Sequence, residues 1–440
     1  MSYCMENRKK RVVVATAGTF LEWAEFTYYA YIANIISSLF FPKLGNHLGL
    51  IATYSVFALS YFFRPLGALF FGYLGDKMGR RVALQSSIML MGLSSLFIGC
   101  LPAYNSIGIL APILLLIFRC VQGFAVSGEF NGSAIYLIEH DSEKPCQAGS
   151  WTGFASALGM MFGGLMSTLI YLPRMPEWAW RIPFLLGTLS CFCAMYFRKN
   201  LSESPPYLTI SKEKLSNPLK ILFENYKKQL IKSVLLVAAL GVYIYIMNVY
   251  YASHLAKYTS LLEAQTKFVV TLGQGLVVLF IVLTGMYADR TDEQRIIKIG
   301  LWGYFIAAPI AYLTPQTNSF VLILLSQIPY ALCNALVGTP IFKLLNDFFP
   351  TQIRYSGVSI AWGISMALFG GTAPLVANYL QYSFKLATAP IFYILLSASV
   401  ALLVLHDKKS YKIVPIKLRS DNLIKSAVAR TSQCKHPGNW

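Results

Sequence analysis

The stretch Gly18-Thr-Phe-Leu-Glu-Trp-Ala-Glu-Phe-Thr-Tyr-Tyr29 places two carboxylates, Glu22 and Glu25, inside an apolar run that extends from Val12 to about Ile36. Three positions apart on a helix, they share one face. Arg64, Arg119 and Glu129 stand in similar apolar surroundings. At ~1.5 Å per residue the two glutamates lie roughly 15–20 Å into a helix starting at Val12, and Arg64 lies about 18 Å from the helix end marked by Asp76. Arg119 and Glu129 are ~15 Å apart along one helix axis, too far for a simple ion pair. In a membrane each such charge costs at least ~2.5–3.5 kcal/mol on insertion scales, so it faces a cavity or a partner.

Two chemistries are open to these groups. Removal from water favours the neutral form of a carboxyl, which can then hold a proton near neutral pH. An arginine stays charged and offers a planar fork that fits a carboxylate at two points. One helix pair could thus supply a proton carrier and a substrate clamp. The structural alternative is an internal salt bridge that fixes helix register, for instance Glu22 to Arg64. Enzyme chemistry has little support, since the eight cysteines are scattered and the five histidines show neither metal nor catalytic spacing. No metal or cofactor is expected.

The elements that must carry these groups are transmembrane helices. The chain has 440 residues, 56% hydrophobic and 13% charged, where a soluble protein would carry roughly twice that charge. Twelve apolar runs, from 12–36 to 388–405, are long enough to span a bilayer. The fold expected is an all-α polytopic membrane protein: a six-helix half over 1–198, a central cytoplasmic loop over 199–230, a second half over 231–405 and a basic tail over 406–440. The net charge of +18 is explained by topology. Most of the 37 Lys and Arg fall on the side of the two termini, while Lys43, Arg174, Arg181, Lys257, Lys267 and Lys385 fall opposite. By the positive-inside rule both termini face the cytoplasm, with attraction to anionic lipid as a by-product and no need for nucleic acid. Arg8-Lys-Lys-Arg11 before an apolar stretch imitates a signal peptide, but the apolar run continues well past any cleavage site, so it reads as the first helix.

An internal repeat supports two halves. Gly72-Tyr-Leu-Gly-Asp76-Lys77 after the second helix is echoed by Gly285-Met-Tyr-Ala-Asp289-Arg290 after the eighth, and Gly163-Gly164 by Gly370-Gly371 at a similar spacing. The second copy reads as decayed, with Asp292, Glu293 and Gln294 in place of Gly79, Arg80 and Arg81. Duplicated six-helix halves around a midplane site are a plan of secondary transporters. Asp76 is expected to cap a neighbouring helix and the arginines to reach acids on adjacent helices, which makes Gly72, Asp76, Gly79, Arg80, Arg81, Asp289 and Arg290 a cytoplasmic latch. Gly159-x-x-x-Gly163 is expected to give the smooth contact that rocking halves need, and Pro374 to kink the eleventh helix. Tyr243, Tyr250 and Tyr251 read as an interfacial belt, with an aromatic cage for a quaternary ammonium as the alternative.

These residues resemble the metabolite:proton symporters of the major facilitator superfamily, the group of the bacterial proline/betaine, α-ketoglutarate and shikimate permeases. The resemblance rests on Leu21-Glu-Trp-Ala-Glu-Phe26, Phe63-Arg-Pro-Leu-Gly67, the run from Gly72 to Arg81, Arg119-Cys-Val-Gln-Gly-Phe-Ala-Val-Ser-Gly-Glu129, Glu177-Trp-Ala-Trp-Arg-Ile-Pro-Phe184, Arg354-Tyr-Ser-Gly-Val358 and Ala367-Leu-Phe-Gly-Gly-Thr-Ala-Pro374. It implies proton-coupled uptake across a bacterial inner membrane. The family's acids fall on Glu25 and Glu129, the proton-coupling candidates, with Arg64 and Arg119 in substrate or relay roles. Glu22, Gln122, Tyr28 and Tyr243 complete the substrate-contacting set. Glu25 stands where the family usually has aspartate, and Ser127 where glycine is common. The tail lacks the heptads of the osmosensing porters' coiled coil.

The function expected is proton symport of a small carboxylate-bearing metabolite by a monomer, with Glu25 carrying the proton and Glu22 bracing the site. Drug or metabolite:proton antiport and a non-transporting nutrient receptor are the alternatives.

Overall fold

The computed structural model describes residues 2–172, 175–199, 201–210 and 217–406; Arg174, part of the central segment and the basic tail beyond 406 lie outside them. The apolar runs form twelve long helices: Ser2–Tyr31, Gly45–Lys77, Arg80–Cys100, Leu110–His140, Pro145–Ile170 and Ile182–Arg198 in the first half. The second half holds Lys227–Tyr258, Glu263–Ala288, Glu293–Leu313, Phe320–Phe348, Arg354–Phe384 and Pro390–His406. Among the described residues, ten helices are long and apolar enough to cross a membrane. The first carries a basic start and its two glutamates, and the twelfth has 17 residues. Alternate traverses bring residues 8, 76–81, 139–147, 289–293 and 343–354 to one end of the bundle, here the basic end.

Packing divides the helices as the repeat does. The first helix lies along the fourth, fifth and sixth, and the fourth along the second and third. The seventh packs on the eleventh and twelfth, and the tenth on the eighth and ninth. The halves meet mainly where the second helix crosses the eleventh and the fifth crosses the eighth. The glycine spacing at Gly159 and Gly163 works within one half rather than between them. A Cβ at either position would run into the backbone carbonyl of Phe20 or Ala24, so these glycines seat the first helix on the fifth.

The second helix runs unbroken through Pro65, which lacks a backbone donor. The seventh and eleventh pass through π-helical turns at Ile246–Tyr250 and Met366–Gly370. The eleventh thus departs from regularity before Pro374, which occupies the first turn of the next stretch, Ala373–Phe384. The tyrosines of the seventh helix do not form an interfacial belt. Tyr243, Tyr250 and Tyr251 are buried in the core of the second half, because this helix is enclosed by the ninth, tenth, eleventh and twelfth.

Candidate substrate site and latch

The charges buried in the first half converge. Glu25 Oε2 accepts from Ser95 Oγ at 2.5 Å and from Gln122 Nε2 at 2.9 Å. Gln122 Oε1 in turn accepts from Arg119 Nη1 at 2.7 Å. One chain of hydrogen bonds therefore links the third helix, the Glu25 carboxylate and the Arg119 guanidinium. Glu25 Oε1 and the Nε and Nη2 atoms of Arg119 are buried without a hydrogen-bond partner among the described residues. These three residues share one cavity with Glu22, Phe26 and Ser60.

A second cavity lies beside it and reaches across to the eleventh helix. Glu22, Trp23, Arg64, Phe130 and Asn131 line it with Trp362 and Met366. Glu22 borders both spaces. Its side chain does not brace the site, since both carboxylate oxygens are buried without a donor among the described residues. The Glu22–Arg64 salt bridge is absent there too. Instead the Arg64 guanidinium sits over Tyr61, Phe26 and Trp23, at 4.2, 4.9 and 5.8 Å from the ring centroids, with Nε and Nη2 unpartnered. Its position is fixed from behind, where Ser127 Oγ donates to the Arg64 carbonyl at 2.6 Å. One turn nearer the far end, Tyr245 donates to Tyr61 at 2.9 Å and joins the halves.

Three expected site residues turn elsewhere. Glu129 is fully buried in a two-point ion pair with Arg198, with contacts of 2.7 and 2.5 Å, and lines neither cavity. Arg198 also donates to the carbonyls of Val14, Ala15 and Leu84, so the pair ties four helices of the first half together. Tyr28 donates to the Trp180 carbonyl at 2.9 Å, packs on Phe184 and lines neither cavity. Tyr243 stacks on Tyr304 at 3.7 Å inside the second half.

The latch forms at the basic end. Asp76 accepts from the backbone of Tyr355 and Ser356, at 3.0 and 2.9 Å, and so caps the start of the eleventh helix. Asp289 does the same for the fifth helix, through Cys146 and Gln147 at 2.7 and 2.8 Å. Each half thus caps a helix of the other. The second helix comes close enough for a Cβ at Gly72 to meet Ser356 Cα at 2.8 Å. Gly79 holds a φ of +112° where the chain turns into the third helix, a conformation that favours glycine. Arg80, fully buried, donates to Glu139 at 3.0 and 3.1 Å and to the Thr351 carbonyl at 2.7 Å. Glu139 also accepts from Arg354 at 2.8 Å, across the interface between the halves. Glu203 accepts from the backbone of Arg80 and Arg81 at 3.0 and 3.2 Å, and the Arg81 side chain reaches the Lys199 carbonyl. Arg290 is exposed and makes no ion pair among the described residues.

The second copy of the latch is inverted rather than decayed. Glu293, at the start of the ninth helix, pairs with Lys343 of the tenth at 3.1 Å, as Arg80 of the third pairs with Glu139 of the fourth. Little in the sequence pointed to Glu139, Glu203, Arg198 or Lys343. Each stands near a helix end, where a charge reads as ordinary solvation.

The arrangement is two related helical halves, latched by exchanged helix caps, around buried charges near mid-span. The family model for the Major Facilitator Superfamily matches residues 26–374. The chain belongs to that superfamily of transporters. The Proline/betaine transporter of Escherichia coli (strain K12) is 31% identical over 415 residues, which cover 90% of this chain and 82% of that one. Among solved structures, the proton:xylose symporter XylE bound to 6-bromo-6-deoxy-D-glucose superposes with a TM-score of 0.74 at 16% identity, covering 91% of this chain and 94% of XylE. XylE from E. coli in a partially occluded inward open conformation gives 0.63 at 18% identity, covering 93% and 98%. This likeness is one of fold.

Proposed function

We propose that this transporter is a proton symporter for a small metabolite bearing a carboxylate, working by alternating access in a bacterial inner membrane with both termini in the cytoplasm. The single observation that carries the reading is the chain from Arg119 through Gln122 to Glu25, sealed from water and ending in unused donors and an unused acceptor. A substrate carboxylate that takes the free N–H groups of Arg119 partly neutralises the cation that steadies Glu25. Glu25 then holds a proton more readily, so proton and substrate load together. The relatives named as proline/betaine transporters agree with this class of cargo.

With the basic end in the cytoplasm, the latch describes a protein closed toward the cell interior. Release inward then requires Asp76 and Asp289 to leave the helix starts they cap and Arg354 to leave Glu139. The proton gradient is the driving force, and one chain holds the whole site.

Purified protein in proteoliposomes, given an inward proton gradient and a panel of organic acids, amino acids and betaines, tests the reading. The expected result is accumulation of one class above its external concentration, abolished by a protonophore. Tight binding of a panel member without gradient-driven flux would instead make the protein a receptor, and outward movement would make it an antiporter.

A further inference from the structure

Resting on the symport reading above, we infer that Glu22 is a specificity determinant that selects substrates carrying an N–H cation beside the carboxylate and discriminates against their fully N-methylated counterparts. Glu22 is 2% exposed, and neither of its oxygens meets a donor among the described residues. A buried carboxylate left this way lacks its hydrogen bonds, whereas two or three N–H groups of an ammonium would satisfy it. Its placement fits that role. Glu22 borders both cavities, with the unused N–H groups of Arg119 in one and of Arg64 in the other. With its ammonium on Glu22, a zwitterion has an arginine on either side for its carboxylate once the cavities widen to admit it.

A quaternary ammonium is recognised differently, by open aromatic faces. The rings here are already engaged. Arg64 covers Tyr61 and Phe26, Arg119 lies over Tyr29 at 4.1 Å, and Trp362 stacks on Phe342 at 4.7 Å with Phe130 against it at 5.2 Å. A methylated nitrogen also brings no N–H to Glu22, and a site built to hydrogen-bond rejects the analogue that cannot.

The test is uptake by the full chain in proteoliposomes, comparing proline with N,N-dimethylproline, glycine with trimethylglycine, and cyclopentanecarboxylate as a nitrogen-free acid. Wild-type protein should favour the N–H member of each pair by about tenfold or more in apparent affinity. Glu22→Gln should erase that preference, and Glu22→Asp should keep its direction; calorimetric binding to the detergent-solubilised variants reads the same ratios where flux is too low. Equal or better handling of the methylated members by the wild type overturns the inference. So does a preference that survives in Glu22→Gln, including the case in which that variant loses only its coupling to the gradient. Gradient-driven accumulation of the nitrogen-free acid alone would leave symport standing and remove this inference, whereas no gradient-driven uptake of any member removes both.

Discussion

Arg198 donates two charge-assisted hydrogen bonds to Glu129, with no exposed surface on either side chain. Removing one partner strands the other, and breaking such a pair costs about 3–5 kcal/mol. Arg198→Met is therefore expected to lower the thermal stability of the detergent-solubilised protein strongly. Adding Glu129→Gln should recover part of the loss, because it removes the stranded charge; a double variant no more stable than Arg198→Met contradicts the pairing. This is also where the sequence was least informative. Glu22, Glu25, Arg64 and Arg119 stood out because a charge inside an apolar run needs a reason, and the structure gathers them around two adjoining cavities. Arg198 sits at the edge of the polar central segment, where a basic residue needs none, so the partner of Glu129 had no visible signal. Without it, Glu129 could be read as a proton carrier as readily as Glu25.

At the scale of helices, the latch depends on carboxylates set at the starts of helices in the opposite half. Asp76→Asn keeps one acceptor but loses the charge that favours the helix start. Spin-label distances across the basic end, between the second and eleventh helices, should shift toward longer values; an unchanged distribution would show that Arg80, Glu139 and Arg354 hold the latch alone. The inverted copy gives a separate test. The Glu293–Lys343 pair is partly exposed, at 19% and 24% of the side chains, and is worth no more than about 1 kcal/mol. Glu293→Lys and Lys343→Glu should each lower stability slightly, and the exchange of both should cost less than their sum; additive losses would contradict the pairing. The repeat itself was legible in Asp76 and Asp289. The inversion was not, because comparison by residue type matches like with like, while the third and ninth helices carry opposite signs at the same structural place.

For the molecule as a whole, twelve helices in two halves follow from composition and run length, and the structure bears this out. What length and hydropathy could not convey is how the halves meet. The glycines that come nearest to a neighbouring backbone, Gly67 and Gly123, join the second helix to the fourth within one half. The halves themselves touch through the second and eleventh and through the fifth and eighth helices, with Tyr61–Tyr245 near the cavities and the latch at the basic end. Two halves that meet mainly along these seams can rock if the seams release in turn, with Glu25 tying that release to a proton. The most direct test is a comparison of gradient-driven accumulation with substrate exchange at equal pH in Glu25→Gln proteoliposomes. The account predicts that accumulation is lost while exchange persists, because the neutral side chain imitates the protonated form. Accumulation at the wild-type level would contradict it.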